Sequence, residues 1–275
     1  ARFVLGSQHA NGANLREAAA ARELPSECGV PIMIAENRRY ADDTNIIRDM
    51  VRTGRIGQVE FFTYSRSTDF PSSVTKNDFA ATEWRQQPEY PGGAITDEAI
   101  HDIAAMRHVF GSIASIHSLG RPQAADYSPY SAILVNLSFA SGVVGQFSFY
   151  CAGREPLRPL AGWRIFGTMG MIYLEEPDCG RIVVAATDGS VDTVTYQPGS
   201  GFYNELVNFA KALRGHEPVS VPPEMEYGDL KTIQDMLYSA SSGTVVAVDQ
   251  TPDYTPDYGG AEAWAEPGAT GGYMQ

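Results

Sequence analysis

Apolar positions along this chain change period at about residue 110, and that change organises the rest of the reading. Before it, helical spacing dominates. An alanine-rich helix is expected over 14–27, disturbed near its end by Pro25, because proline lacks an amide donor and clashes with the preceding turn. Asp42 or Asp43 can cap a helix that carries Ile46, Ile47, Met50 and Val51 on one face and stops at Gly54. Thr96 opens a further helix through Phe110, with Ile100, Ile103, Ala104 and Met106 inward. Short strands are expected at residues 1–5, at 30–35 and, longer, at 59–68. Residues 69–93 show no period and several prolines, and are read as a long loop carrying Trp84-Arg85.

After residue 110 the alternation is that of strands. Residues 132–139 and 143–150 form the clearest hairpin, turned by Ala140-Ser141-Gly142, and shorter strands follow at 162–167, 170–175, 181–186 and 191–196. Two helices close the pattern. One is expected to face inward through Phe202, Leu206, Phe209, Ala210 and Leu213, the other, over 227–241, through Leu230, Ile233 and Leu237, before a last strand at 244–248. Residues 249–275 repeat Thr-Pro-Asp-Tyr, turn rich in glycine and alanine, and are expected to be a flexible tail. The fold class is therefore α+β, an open and mostly antiparallel sheet with helices on one face. Ile133, Leu134 and Val135 are apolar at both alternations, so the other face is expected to be buried against a second subunit, giving a homodimer or larger homo-oligomer.

Composition changes this picture little. Apolar residues make up 43% and charged residues 19% of the 275 positions, which is ordinary globular content. A net charge of -13 repels phosphate backbones and anionic lipid heads, so neither nucleic acid nor a membrane is an expected partner. Cys28, Cys151 and Cys179 are few, odd in number and far apart, which fits a reducing, cytoplasmic setting better than a disulfide framework. The five histidines include no pair one helical turn apart, so no metal site is expected.

Asp97 and His101 are the chemistry-bearing pair. At i, i+4 on a helix they share a face, where the aspartate can orient the imidazole and the imidazole can act as acid or base near neutral pH. The plainer reading is a first-turn aspartate favouring the helix dipole beside a hydrogen-bonded core histidine. Trp84 and Arg85, adjacent in the long loop, can offer cation–π and bidentate contacts to a carbonyl, carboxylate or polyol. No serine lies in a nucleophile elbow.

From about residue 28 to 248 the motifs resemble, in order, those of the Gfo/Idh/MocA oxidoreductases. Gly29 to Tyr40 resembles the first strand after that family's dinucleotide domain, and Gly54-Arg55-Ile56-Gly57-Gln58-Val59 its helix-to-strand turn. Trp84-Arg85 followed by Gly92 to His101 resembles its active-site segment, with Ala99 where the family has glycine in Asp-x-Gly-x-His. Gly167-Thr168-Met169-Gly170 and the stretch from Phe202 to Val248 match as well. The resemblance implies a substrate-binding and oligomerising α+β domain over 28–248, with residues 1–27 as a strand and helix left from a lost dinucleotide domain. It places Asp97 and His101 in a catalytic pocket, with Asn37, Arg38, Trp84, Arg85 and Arg154 as substrate-binding residues. Ser7-Gln8-His9 falls on the family's Glu-Lys-Pro signature, so Gln8, expected to bind substrate but unable to exchange a proton near neutral pH, stands where the family's lysine would. No Gly-x-Gly-x-x-Gly occurs: Gly199-Ser200-Gly201 is followed by Asn204.

The leading expectation from sequence is thus an enzyme without a cofactor, an isomerase, a dehydratase or lyase, or a cyclase, working on a small biosynthetic intermediate. The alternative is the substrate domain of an NAD(P)-dependent sugar or polyol dehydrogenase whose nucleotide half lies elsewhere. A non-catalytic binding scaffold is the third reading.

Overall fold

The computed structural model describes residues 4–5, 15–76, 81–153 and 161–248. Its centre is a nine-stranded sheet, built from β3 (Val59–Ser67), β4 (Ile113–Ala125), β5 (Ser128–Phe139), β6 (Val144–Tyr150), β7 (Ala161–Gly167), β8 (Gly170–Leu174), β9 (Arg181–Ala186), β10 (Val191–Thr195) and β11 (Val246–Ala247). The spatial order is β10-β9-β8-β7-β3-β6-β5-β4-β11, and every pair is antiparallel except β3 with β6. Separately, β1 (Val4–Leu5) and β2 (Ile32–Met33) pair in parallel across α1 (Leu15–Cys28), a βαβ unit.

One face of the large sheet is covered. The strands send Phe62, Tyr64, Ile133, Val135, Phe147, Trp163 and Ile165 under α6 (Ala94–Phe110) and α8 (Pro223–Ser242). Phe62 stacks on Phe110 with ring centroids 4.4 Å apart and also meets Phe139 and Trp163, so the helix end and three strands close around one aromatic group. Edge-on and offset contacts of this kind add to the burial of the rings. The remaining helices are α2 (Asn37–Tyr40), α3 (Asp42–Arg52), α4 (Phe70–Lys76), α5 (Glu83–Gln86) and α7 (Gly201–Leu213). The α+β fold with helices on one sheet face is what the sequence predicts.

The differences have local causes. The longest strand, β4, has no strand period in the sequence because its register shifts between Ile113 and Ser115. That bulge turns both Ile113 and Ile116 inward, three residues apart, and hides the alternation. The expected loop over 69–93 contains α4 and α5. Pro25 lies inside α1 rather than ending it. Most consequential, the face of α7 expected to be inward is only partly so: Phe202, Leu206 and Leu213 are exposed, Phe209 and Ala210 are half-buried with Phe209 packed on the cluster of Ile32, Met33 and Ile34, and the fully buried residues include Glu205, Asn208 and Ala212. The expected tail, 249–275, lies outside the described residues, as do Gln8 and Arg154.

The opposite sheet face is open. Phe61, Leu119, Leu134, Val144 and Tyr150 are exposed on it, around a shallow hollow of about 740 Å³ whose floor includes Thr63, His117, Asn136 and Gln146. Glu60 is the one charged residue lining the hollow among the described residues. On a chain of net charge -13 this is a surface on which two copies can meet without facing like charges. We infer that a second copy covers it. Light scattering at low micromolar concentration should give at least twice the chain mass, and Leu134→Asp should return the protein to a monomer that still melts cooperatively. A monomeric mass for the unaltered protein would show that the open face is tolerated in water.

Candidate active site at the start of helix α6

The helix that carries His101 begins on two glycines. Gly92 and Gly93 both have positive φ, and a Cβ on Gly93 would lie 2.0 Å from the carbonyl oxygen of Tyr127. Ala94 donates its amide to that same carbonyl at 2.8 Å. The turn therefore locks the first residues of α6 against the β4–β5 connection, and a side chain at position 93 would displace them. From there the buried helix presents its polar residues, Asp97, Glu98, His101 and Asp102, as two i, i+4 pairs.

Each of these groups has a partner from another element. Nδ1 of His101 lies 2.6 Å from Oε2 of Glu36, a carboxylate buried at the end of β2. Glu36 is also fixed locally, since it caps α2 by accepting the amide of Arg38 at 2.9 Å. Asp97 accepts from Nε of Arg85 at 2.9 Å, and the Arg85 guanidinium lies 4.2 Å from the ring centre of Trp84. Asp102, fully buried, accepts from the hydroxyl of Tyr64 at 2.8 Å and from Arg66 at 3.3 Å. Arg66 also reaches Glu98 at 3.6 Å, and the hydroxyl of Thr68 lies 3.5 Å from the same carboxylate.

The expected Asp97–His101 pair is corrected by this geometry. Both residues stand on one face of α6, but the hydrogen-bond partner of the imidazole is Glu36, and Asp97 is engaged by Arg85 from α5. The i, i+4 spacing brings two side chains near each other; it does not choose between them and a carboxylate arriving from another strand. Trp84 and Arg85 meet the helix as the long loop suggested, with Arg85 acting through Asp97. Arg38 is bound bidentately to Asp43, at 2.8 and 3.4 Å, and Asn37 lies half-buried in the first turn of α2. Glu36 and Arg66 were not among the sequence candidates. Glu36 lies inside the Gly29–Tyr40 stretch, but nothing in its spacing from His101 marks the contact.

Burial and charge set the protonation of the site. Burial of His101 disfavours its cation, but the Glu36 carboxylate outweighs that effect and lifts the imidazole to about 9. Glu36 itself is held below its ordinary value, burial being overcome by His101 and the Arg38 amide. Its acidic neighbours are pushed the other way. Glu226 rises to about 8 through burial and the nearby Asp229 and Glu36, and Glu205 rises to about 7 through burial and Glu36. At neutral pH Glu36 is therefore the ionised carboxylate opposite a cationic ring, while Glu226 is mostly neutral and Glu205 is near its midpoint. About a quarter of the His101 side chain is exposed, and among the described residues Nε2 has no hydrogen-bond partner. That nitrogen is the edge of the ring open to solvent.

The described residues do not form a dinucleotide cradle. The only Gly-x-Gly sequence, Gly199-Ser200-Gly201, starts α7, and there a Cβ on Gly201 would lie 2.3 Å from the carbonyl of Asn37. That glycine serves the close approach of α7 to α2 and leaves no room for a pyrophosphate. Among the described residues no group of three or more histidines, cysteines, aspartates or glutamates is placed to hold a metal ion. No helix among them is long and apolar enough to cross a membrane.

Comparison with known proteins places this geometry. Residues 45–173 match the model of the GFO/IDH/MocA C-terminal domain. The protein YMR315W of Saccharomyces cerevisiae is 31% identical over 251 residues, covering 86% of this chain and 70% of its own length. D-xylose 1-dehydrogenase (NADP(+)) 2 of Haloferax volcanii is 23% identical over 242 residues, again 86% of this chain and 70% of that protein. A levoglucosan dehydrogenase, solved in complex with NADH and levoglucosan, superposes over 90% of this chain and 74% of its own with a TM-score of 0.77 at 18% identity. The chain belongs to the GFO/IDH/MocA family of oxidoreductases.

Proposed function

We propose that this chain binds the substrate and moves the proton in an NAD(P)-dependent dehydrogenase or reductase acting on a sugar or polyol. The expectation of an isomerase, lyase or cyclase without cofactor finds no support among the relatives: those with a stated reaction include a reductase, a dehydrogenase and a structure that binds NADH. What carries the reading is the Glu36–His101 pair, a buried carboxylate holding one ring nitrogen at 2.6 Å and leaving the other exposed at the start of α6. An acid–base residue of this kind is what interconversion of a hydroxyl and a carbonyl requires from the substrate side. The dinucleotide, held by residues outside those described here, would supply the hydride acceptor or donor.

In the reducing direction the cationic ring donates its Nε2 proton to the carbonyl oxygen as that oxygen gains negative charge. Glu36 stabilises the cation beforehand and keeps the ring in one orientation. In the oxidising direction the neutral ring accepts the hydroxyl proton at the same nitrogen. Arg66, flanked by Asp102 and Glu98, and Arg85, backed by Asp97, stand as hydrogen-bond donors whose charge is already balanced. Such donors suit the hydroxyls of a neutral polyol better than a free phosphate, which would compete with those carboxylates. The charge of the ring at neutral pH favours carbonyl reduction.

The pH dependence tests this. Carbonyl reduction should be level below pH 9 and fall above it, while alcohol oxidation should rise toward pH 9. Glu36→Gln should move both transitions well down, because burial and Arg66 then act on the ring with only the smaller pull of Glu226 against them. A profile unmoved by this substitution would take the proton transfer away from His101. Stability follows the same group. The folded ring keeps its proton to about 9, whereas an unfolded histidine releases it near 6.5, so the contribution of the pair is complete below 6.5 and is lost as the pH rises through 9. His101→Gln, which can still donate to Glu36 but cannot transfer a proton, should cost about 10²–10⁴ in turnover, and its melting temperature should fall because the buried carboxylate loses its cation while unfolding stays cooperative. Full turnover in that variant would leave the histidine a structural role only.

A further inference from the structure

The two polar stripes of α6 are closed to different degrees. In the first, Asp97 and His101 each have a close partner, Arg85 at 2.9 Å and Glu36 at 2.6 Å. In the second, Glu98 and Asp102 meet Arg66, which arrives from the end of β3. Phe62 and Tyr64 of that strand are buried in the core, and Arg66, two residues further on, shares their side of the sheet. It is loosely held there. Among the described residues its single hydrogen bond runs from Nη1 to Asp102 at 3.3 Å, and Nη2 stands 3.6 Å from Glu98. The other arginines around the site are committed. Arg38 binds both oxygens of Asp43, Arg39 is buried on Asp229, and Arg85 is shared between Asp97 and the ring of Trp84. The Arg66 side chain is 28% exposed, so most of its N–H donors are open to a ligand. Burial and the Arg66 charge both act on the His101 imidazole against its cation, which puts Arg66 within electrostatic reach of the ring.

We propose that Arg66 selects the substrate by holding the oxygen on the carbon next to the one that reacts at His101, so that the site takes α-hydroxy carbonyl compounds and the corresponding vicinal diols. The proposal rests on the dehydrogenase reading given above. Two donors side by side, one that transfers a proton and one that keeps it, match two oxygens on adjacent carbons. A guanidinium stays charged, so it can hold an oxygen without competing for the proton that His101 moves. Burial opposes that charge, and Asp102 and Glu98 outweigh the opposition. The same balance disfavours an acidic substrate. Arg66 already faces Asp102 and Glu98, and His101 faces Glu36, so a further carboxylate would meet no cation without a counter-charge. A hydroxyl or carbonyl oxygen takes the open N–H groups and leaves the charge unaltered. A simple ketone or alcohol, with nothing on the neighbouring carbon, would instead displace water from those donors and leave them unpaired.

Matched pairs of probes that differ by that one hydroxyl test this: D-glucose with 2-deoxy-D-glucose, for reaction at C1, and hydroxyacetone with acetone. Affinity is measured by saturation-transfer NMR, and turnover with NADH and NADPH on the same samples. The unaltered protein should bind the hydroxylated member of each pair about 10- to 100-fold more tightly, the usual gain from a hydrogen bond to a charged group. Arg66→Lys keeps a cation beside Asp102 and Glu98, and with it the fold, but replaces the planar fork by a point charge. It should remove most of the preference by weakening the hydroxylated member while leaving its deoxy counterpart where it was. Equal affinity for the two members in the unaltered protein overturns the proposal, as does a preference that survives Arg66→Lys. Turnover separates the two claims. A preference lost with Arg66→Lys, in a protein without dinucleotide-dependent turnover, leaves Arg66 its role and removes the dehydrogenase. Turnover with an unchanged preference in Arg66→Lys does the opposite.

Discussion

One buried carboxylate holds the site together. Asp229, fully buried on α8, accepts from Arg39 of α2, with both oxygens 2.7 Å from one guanidinium nitrogen, and from Arg107 of α6, which also donates to the carbonyl of Met225 at 3.0 Å. Arg39 lies in the same short helical turn as Glu36, and Arg107 lies on the same helix as His101. The arginine–aspartate–arginine arrangement thus fixes α2 against α6, and with them the 2.6 Å contact between Glu36 and His101. Two buried cations around one anion are costly to desolvate, and a hydrophobic replacement can be as stable. Loss of one member, by contrast, strands a buried charge at a cost of about 3–5 kcal/mol. What the triad contributes here is position, because an apolar contact would fix the spacing of two helices less narrowly than directed hydrogen bonds do.

The acidic neighbours show the same economy of charge. Glu226 and Glu205 lie near Glu36, and burial pushes both toward their neutral forms, so that Glu36 is the carboxylate that keeps its charge beside the imidazole. If all three were ionised, their repulsion would oppose folding. The neutral forms keep the cluster compatible with a buried helix junction and leave the field of Glu36 directed at His101.

The sequence made the sheet and its covering helices legible wherever burial follows a simple period. The hairpin of β5 and β6 and the helix from Thr96 are examples, since in both the inward residues recur at the spacing of the element. It failed where one residue breaks the phase, as at the bulge after Ile113, and where the buried side is polar, as on α7. The apolar row of α7 has ideal helical spacing, so periodicity found the helix and the packed Phe209, but it turned Phe202, Leu206 and Leu213 inward where they are exposed; spacing carries no information about which neighbour a face will meet. The candidate site divides in the same way. His101, Asp97, Trp84 and Arg85 were legible from the order of the motifs. Glu36 was not, because its pairing with His101 depends on how β2 enters α2, a long-range relation that no local pattern encodes.

The position of β3 in the sheet bears on how the chain is assembled. It is the earliest strand of the large sheet in sequence, yet it lies near the centre, paired in parallel with β6 on one side and antiparallel with β7 on the other. Neither neighbour can arrive until Val144 and then Ala161 have been made. During synthesis Phe61 and Phe62 must therefore wait with both edges of their strand unpaired, while the later strands form their hairpins with sequence neighbours. Pairings so distant are slow to close and expose a bare strand meanwhile. The order of the strands thus makes residues 59–67 the part of the chain most in need of shielding before the fold is complete.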